Sequence, residues 1–211
     1  MKQTRLFTIM LLAAALLIVS CKRSSSNNGK RKGFASKQRD LIELYDMADS
    51  VYHFNGRADT ALFERFIRKA VDFAQSYPKD ELAPDMLYRA GVGSMILAKS
   101  APDRDHTAQY AKQAIEIFNT YQSLFPNGEK AEFCYYQRGI IYDDILGDTR
   151  SAESEFRDYI NRNPGDSLSV QLEQYIKLLG KSEGEIEEAL GLKLLRFTTY
   201  DLRFAIYGLR S

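Results

Sequence analysis

AEFCYYQRGIIYDDILGDTRSAESEFRDYINRNPG, residues 131–165, carries a pattern that the chain writes more than once. The spacing predicts a helix over Lys130–Leu146 and a second over Asp148–Arg162, with Gly147 in the break and Gly165 after the second. Glycine is favoured at helix ends because the residue that leaves the last turn adopts a left-handed backbone conformation. Asp148 is placed to cap the second helix, its carboxylate accepting from a free N–H of the first turn. Aligned on Pro164, the features of the second helix return at Pro126 and Pro78. Five residues before each proline stands Phe73, Tyr121 or Tyr159. Eight before stand Ala70, Phe118 and Phe156, and twelve before stand Phe66, Ala114 and Ala152. Thirteen residues after the first two prolines come Gly91 and Gly139, each preceded three residues earlier by a tyrosine, Tyr88 and Tyr136. One helix pair thus recurs at a period of 38 to 48 residues. A lone helix hairpin leaves an apolar face uncovered, whereas stacked hairpins bury a continuous core.

The rest of the body follows the same periodicity. In Lys37–Phe54, Leu41, Leu44, Tyr45, Ala48, Val51 and Tyr52 mark one face of an amphipathic helix, which Gly56 ends. Thr60–Tyr77 repeats the pattern with Leu62, Phe66, Ala70, Phe73 and Tyr77 before Pro78. Further helices are predicted over Ala83–Ala98, Thr107–Phe125 and Leu168–Leu179, and Ser182 with Glu185 reads as a capping box opening a last one. No alternating strand pattern precedes residue 190, so the expected class is all-α.

Composition agrees with a packed helical body. Of 211 residues, 45% are hydrophobic and 27% charged, with 13 Tyr, 12 Phe and no Trp. The formal charge is +1, and removing a leader with Lys2 and Arg5 leaves 27 basic against 28 acidic residues. That balance gives no reason to expect nucleic acid as a partner.

The N-terminus reads as an address. Residues 1–20 join a basic start to an apolar run, Phe7–Val19, followed by Ser20 and Cys21. The run is short of the about 20 apolar residues that span a bilayer. Ile18-Val19-Ser20-Cys21 resembles a bacterial lipobox, which implies cleavage before Cys21 and triacylation of that residue. Each buried methylene of an acyl chain contributes about 0.8 kcal/mol, so such an anchor holds permanently. With Cys21 acylated, Cys134 is left without a disulfide partner and is expected to be an inert, partly buried thiol among Phe133, Tyr135 and Tyr136. Residues 21–36 form a tether with a root-mean-square span of roughly 20 Å. Its basic residues, from Lys22 and Arg23 to Lys30, Arg31 and Lys32, continue through Lys37 and Arg39 before the first acid, Asp40. They suit either a solvated linker or anionic lipid head groups.

Two stretches carry a family resemblance. Leu146-Gly147-Asp148, followed by Ala152, Phe156, Tyr159 and Pro164, with Tyr135, Gly139 and Tyr142 before it, resembles a tetratricopeptide repeat. Tyr77-Pro78 through Ala83-Pro84 to Leu87-Tyr88-Arg89-Ala90-Gly91 is similar to the long-linker repeats of tetratricopeptide lipoproteins of the bacterial outer membrane, the kind found in the β-barrel assembly machinery. The likeness covers residues 37–190. It departs from the pattern at one extra residue between Gly139 and Gly147, at Ser94, at an insertion over Lys99–His106, and at Phe66, which occupies the usual alanine site.

The resemblance implies a right-handed α-solenoid of three to four hairpins that binds rather than catalyses. In that family the first helix of each pair lines a concave groove, and the matching positions are Tyr88, Val92 and Met95, then Phe133, Tyr136, Ile140 and Asp143. Such a groove takes an extended or helical segment of a periplasmic or outer-membrane protein. Packing of Tyr88 and Tyr136 against the neighbouring helix is the alternative. The implied location is the outer membrane, anchored by lipid and facing the periplasm, in outer-membrane protein assembly or envelope biogenesis. An envelope hydrolase using scattered carboxylates is the competing class, though no nucleophile–base pair stands out. No metal, cofactor or small-molecule substrate is expected: Asp143, Asp144 and Asp148 lack the shaped loop a cation needs, and His53 and His106 lack ligand spacing. Residues 191–211 change character, with Tyr200, Leu202, Phe204 and Ile206 alternating with Asp201, Arg203 and Ala205, and are read as a cap or docking tail.

Overall fold

The computed structural model describes residues 33–182 and 184–185, and every regular element among them is helical. The lipobox with Cys21, the tether up to residue 32 and the tail over 191–211 lie outside the described residues. The helices are α1 (residues 33–55), α2 (Thr60–Ser76), α3 (Leu82–Ser100), α4 (Arg104–Leu124), α5 (Phe133–Ile140), α6 (Thr149–Arg162) and α7 (Ser167–Ile176). α5 runs on into a π-helical segment, Ile141–Ile145.

Aspartates set four of the starts. The side chains of Asp59, Asp103, Asp148 and Asp166 accept from the backbone N–H groups of Leu62, His106, Ser151 and Ser169. Each such cap contributes about 1 kcal/mol by satisfying a donor that has no partner inside the helix. Asp103 also explains why α4 begins at Arg104, inside the stretch expected to be an inserted loop. Gly147 (φ 68°) and Gly165 (φ 82°) make the left-handed exits expected between α5 and α6 and between α6 and α7.

The π-helical segment absorbs the extra residue noted between Gly139 and Gly147. The N–H of Leu146 reaches the carbonyl of Ile141 at 3.0 Å, an i→i+5 bond that encloses one residue more than an α-turn. The residues on either side therefore keep their faces toward the core.

Neighbouring helices pair antiparallel. Phe34 at the start of α1 meets Phe73 and Tyr77 at the end of α2, while Tyr52 near the end of α1 meets Phe63 near the start of α2. Tyr88 of α3 lies by Phe118 and Tyr121 of α4, and Ser94 reaches back to Gln113. Phe133 and Tyr136 of α5 lie by Tyr159 and Phe156 of α6. All nine residues at the recurring positions five, eight and twelve before the prolines are buried. Fully burying an aromatic or aliphatic side chain contributes about 1.5–3 kcal/mol, so this set anchors the core.

Candidate functional site

Two sockets organise the middle of the chain. A Cβ on Gly91 of α3 would fall 2.6 Å from Cε1 of Phe118, and a Cβ on Gly139 of α5 would fall closer still to the ring of Phe156. Helix and ring therefore touch without an intervening side chain, and both phenylalanines are fully buried. Three residues before each glycine, Tyr88 and Tyr136 flank the same rings at centroid distances of 5.6 and 6.3 Å. The first hairpin uses the same device with sizes exchanged. Tyr45 of α1 precedes Ala48 by three residues and lies 5.1 Å from Phe66, while Ala70 takes the place held by Phe118 and Phe156. The sequence carried that signal as Tyr45-x-x-Ala48, but alignment on the prolines does not reach α1.

The sockets are joined by a row of rings. Tyr88 meets Phe133 at 6.4 Å, Phe133 meets Tyr136 at 4.8 Å, and Phe156 meets Tyr175 of α7 at 5.8 Å. Tyr88 Oη accepts from Gln137 Nε2 at 2.8 Å, tying α3 to α5. Burial raises the pKa values of both Tyr88 and Tyr136 well above the ordinary phenol value.

The residues proposed for a groove divide by depth. Tyr88, Val92, Phe133 and Tyr136 are half-buried and keep an edge toward solvent. Met95, Ile140 and Asp143 are buried, which leaves them little surface for a partner. Asp143 sits in the π-helical segment and accepts a hydrogen bond from Tyr175 Oη, so its carboxylate ties α7 to the end of α5. Tyr88 and Tyr136 pack on the rings of the neighbouring helix and are each half-buried.

A buried ion pair lies beneath this face. Arg138 holds both oxygens of Glu155 through Nε at 2.9 Å and Nη2 at 2.8 Å, and its Nη1 reaches Gln122 Oε1 at 2.6 Å. Its side chain is 5% exposed and that of Glu155 19%. The guanidinium also stacks on Tyr135, 4.7 Å from the ring, and Arg162 stands at the same distance from that ring. One residue thus links α4, α5 and α6. Sequence reading missed this constellation because Arg138 and Glu155 are 17 residues apart and neither follows an i, i+4 rule.

Cys134 is fully buried, more deeply than expected, and its thiol lies 3.3 Å from the carbonyl of Lys130. Burial pushes its pKa up to about 12, away from thiolate chemistry. His106 pairs with Asp103 at the exposed start of α4, and His53 with Asp49 on α1. Among the described residues no group of three or more His, Cys, Asp or Glu is gathered as a metal site, and no helix is long and apolar enough to cross a membrane. No protein-family model matches the chain, and no curated protein matches it.

Proposed function

We propose that this chain is a lipid-anchored, non-enzymatic protein-interaction scaffold of the bacterial envelope, built as a solenoid of three to four tetratricopeptide-like hairpins. The observation that carries the reading is the repeated socket. Gly91 with Phe118 and Gly139 with Phe156 place equivalent helices in equivalent contact, and Tyr88 with Gln137 and Phe133 joins one pair to the next. A surface repeated along an array suits an extended or helical segment better than a small substrate, because successive half-exposed side chains present successive anchor points.

On this reading Tyr88, Val92, Phe133 and Tyr136 carry the partner-binding face. Their rings supply large contact area at low entropic cost, since each has few rotatable bonds and is already held by its neighbours. The partner is an envelope protein in outer-membrane protein assembly or envelope biogenesis, and the acylated Cys21 holds the array at the outer membrane, on its periplasmic side.

Fractionation of cells that express the full chain or Cys21→Ser tests the anchor. The full chain belongs in the membrane fraction and the variant in the soluble one. Equal membrane retention of both contradicts lipidation at Cys21. Reproducible hydrolysis of cell-wall or peptide substrates, abolished by a single carboxylate substitution, contradicts the non-enzymatic reading.

A further inference from the structure

The α1–α2 hairpin has an open side. Between the two helices lies a pocket of ≈ 250 Å³ floored by Leu41, Phe73 and Tyr77. Four charges stand round it, Lys37 and Asp40 on α1 and Lys69 and Asp72 on α2. Among the described residues none of the four forms an ion pair, and Lys37 reaches only the hydroxyl of Tyr77, at 3.4 Å. α3 packs on a different side of the hairpin, where Arg89 lies 4.4 Å from the Tyr45 ring and Gly93 faces Phe63 and Ile67.

The open side also carries a knob. Met47 and Phe54 follow Asp40 at steps of seven residues, two helical turns each, so the three lie along one stripe of α1. Met47 is 54% exposed and Phe54 91%, the most exposed large apolar side chain among the described residues. Phe54 stands about 21 Å along α1 from Asp40, at the other end of the hairpin from the pocket.

A contact about a two-fold axis joins a patch to an identical patch, so the patch must hold its own complement: a knob for each hole and a cation for each anion. The open side of this hairpin holds both. Its two lysines and two aspartates cancel, so it does not match an anionic bilayer or a nucleic acid, which call for a net positive patch.

We infer that two copies of this chain pair through their α1–α2 hairpins, with Phe54 of each copy in the pocket of the other and Lys69 of each beside Asp72 of the other. Lys69 and Asp72 are one turn apart on α2, so a two-fold axis passing between them brings each lysine to the aspartate of the other copy. The same axis carries Phe54 to the Tyr77 end of the second hairpin, because Phe34 meets Tyr77 at the end opposite to that where Tyr52 meets Phe63. The interface stands apart from Tyr88, Val92, Phe133 and Tyr136 and requires neither the lipid anchor nor the envelope partner proposed above.

Crosslinking between two co-expressed full-length chains that carry different tags tests it. One chain bears Asn55→Cys, beside Phe54, and the other Ser76→Cys, on the pocket wall; chains with only their native cysteines set the background. A short bismaleimide is expected to join this pair at least tenfold faster than Asn55→Cys with Lys112→Cys, on the exposed surface of α4. Phe54→Ala in both chains is expected to lower the yield several-fold, and so is Lys69→Glu in both or Asp72→Lys in both, each with unchanged helical circular dichroism. Lys69→Glu in one chain and Asp72→Lys in the other is expected to restore the yield, because the two reversals complement each other across the axis. Equal rates at Ser76→Cys and Lys112→Cys, or a yield indifferent to Phe54→Ala, overturns the inference. Charge reversals that fold but do not rescue each other overturn it as well.

Discussion

Phe156 of α6 occupies the space that a side chain on Gly139 of α5 would need, and Phe118 stands in the same relation to Gly91 of α3. Glycine in a helix interior costs about 1 kcal/mol relative to alanine, so its presence at both sites reflects the close approach of the facing ring. Gly139→Ala and Gly91→Ala gain that propensity but force a fully buried ring to move. Overpacking costs about 1–3 kcal/mol and outweighs the gain. Both variants are expected to unfold at lower urea concentration than the wild type, with an unchanged slope. A rise in the midpoint would contradict the socket.

Arg138 and Glu155 form a pair whose members are both largely removed from water. Glu155→Ala leaves the guanidinium uncompensated and is expected to cost roughly 3–5 kcal/mol, because a lone buried charge loses its hydration and gains nothing in return. Arg138→Met with Glu155→Leu restores apolar packing and is expected to recover most of that loss. A double-mutant cycle by chemical denaturation checks this. Near-additive effects would show that the pair does not couple α5 to α6.

Removing the hydroxyl of Tyr175 leaves the Asp143 carboxylate without that donor in a buried position. Tyr175→Phe is expected to destabilise the chain by about 1–3 kcal/mol and to speed hydrogen exchange in α7 more than in α2 or α3. Uniform acceleration would place the effect elsewhere than in the tie between α7 and the π-helical segment.

Base is expected to weaken the fold through the buried phenols and the buried thiol, Cys134 and Tyr110 among them. Burial raises Cys134 from 9.0 to about 12, and the hydrogen bond to Glu64, with burial second, raises Tyr110 from 10.0 to about 12. A group whose pKa rises on folding favours the folded state while it stays protonated. That support is intact below the unfolded value and is lost as pH climbs toward the folded one. Melting temperature should therefore decline between about pH 9 and 12, and Cys134→Ala should remove the part of the decline that begins near pH 9. A melting temperature that is flat over this range would contradict both shifts. In native protein at pH 8, Cys134 should resist alkylation and become reactive in denaturant.

Helices were legible where one residue type does one job. Leu41, Leu44 and Ala48 at helical spacing, Asp148 before a helix and Gly147 after one each act locally, and each is found in its expected role. The boundaries moved where capping or turns decide them. Asp103 starts α4 three residues early, and turns after Pro126 delay α5 to Phe133. The π-helical segment was visible as one surplus residue but not as a geometry, because an inserted residue is compatible with a bulge, a shift of register or a longer loop. The proposed groove was the least legible part. Met95 and Ile140 face the core, whereas Val92 and Phe133 retain exposed edges, and helical period alone does not separate those faces when a helix is packed on two sides.

The aromatic face that runs from α3 to α5 is proposed to receive a partner protein. Site-specific photocrosslinking in intact cells measures this directly, with the reactive group placed at Val92 or Phe133 and, as controls, at the exposed Lys112 of α4 and Asp158 of α6. One discrete envelope protein crosslinked from Val92 and Phe133 but not from Lys112 or Asp158 is the predicted result. Equal crosslinking from all four positions, or none from the aromatic face, would contradict the claim.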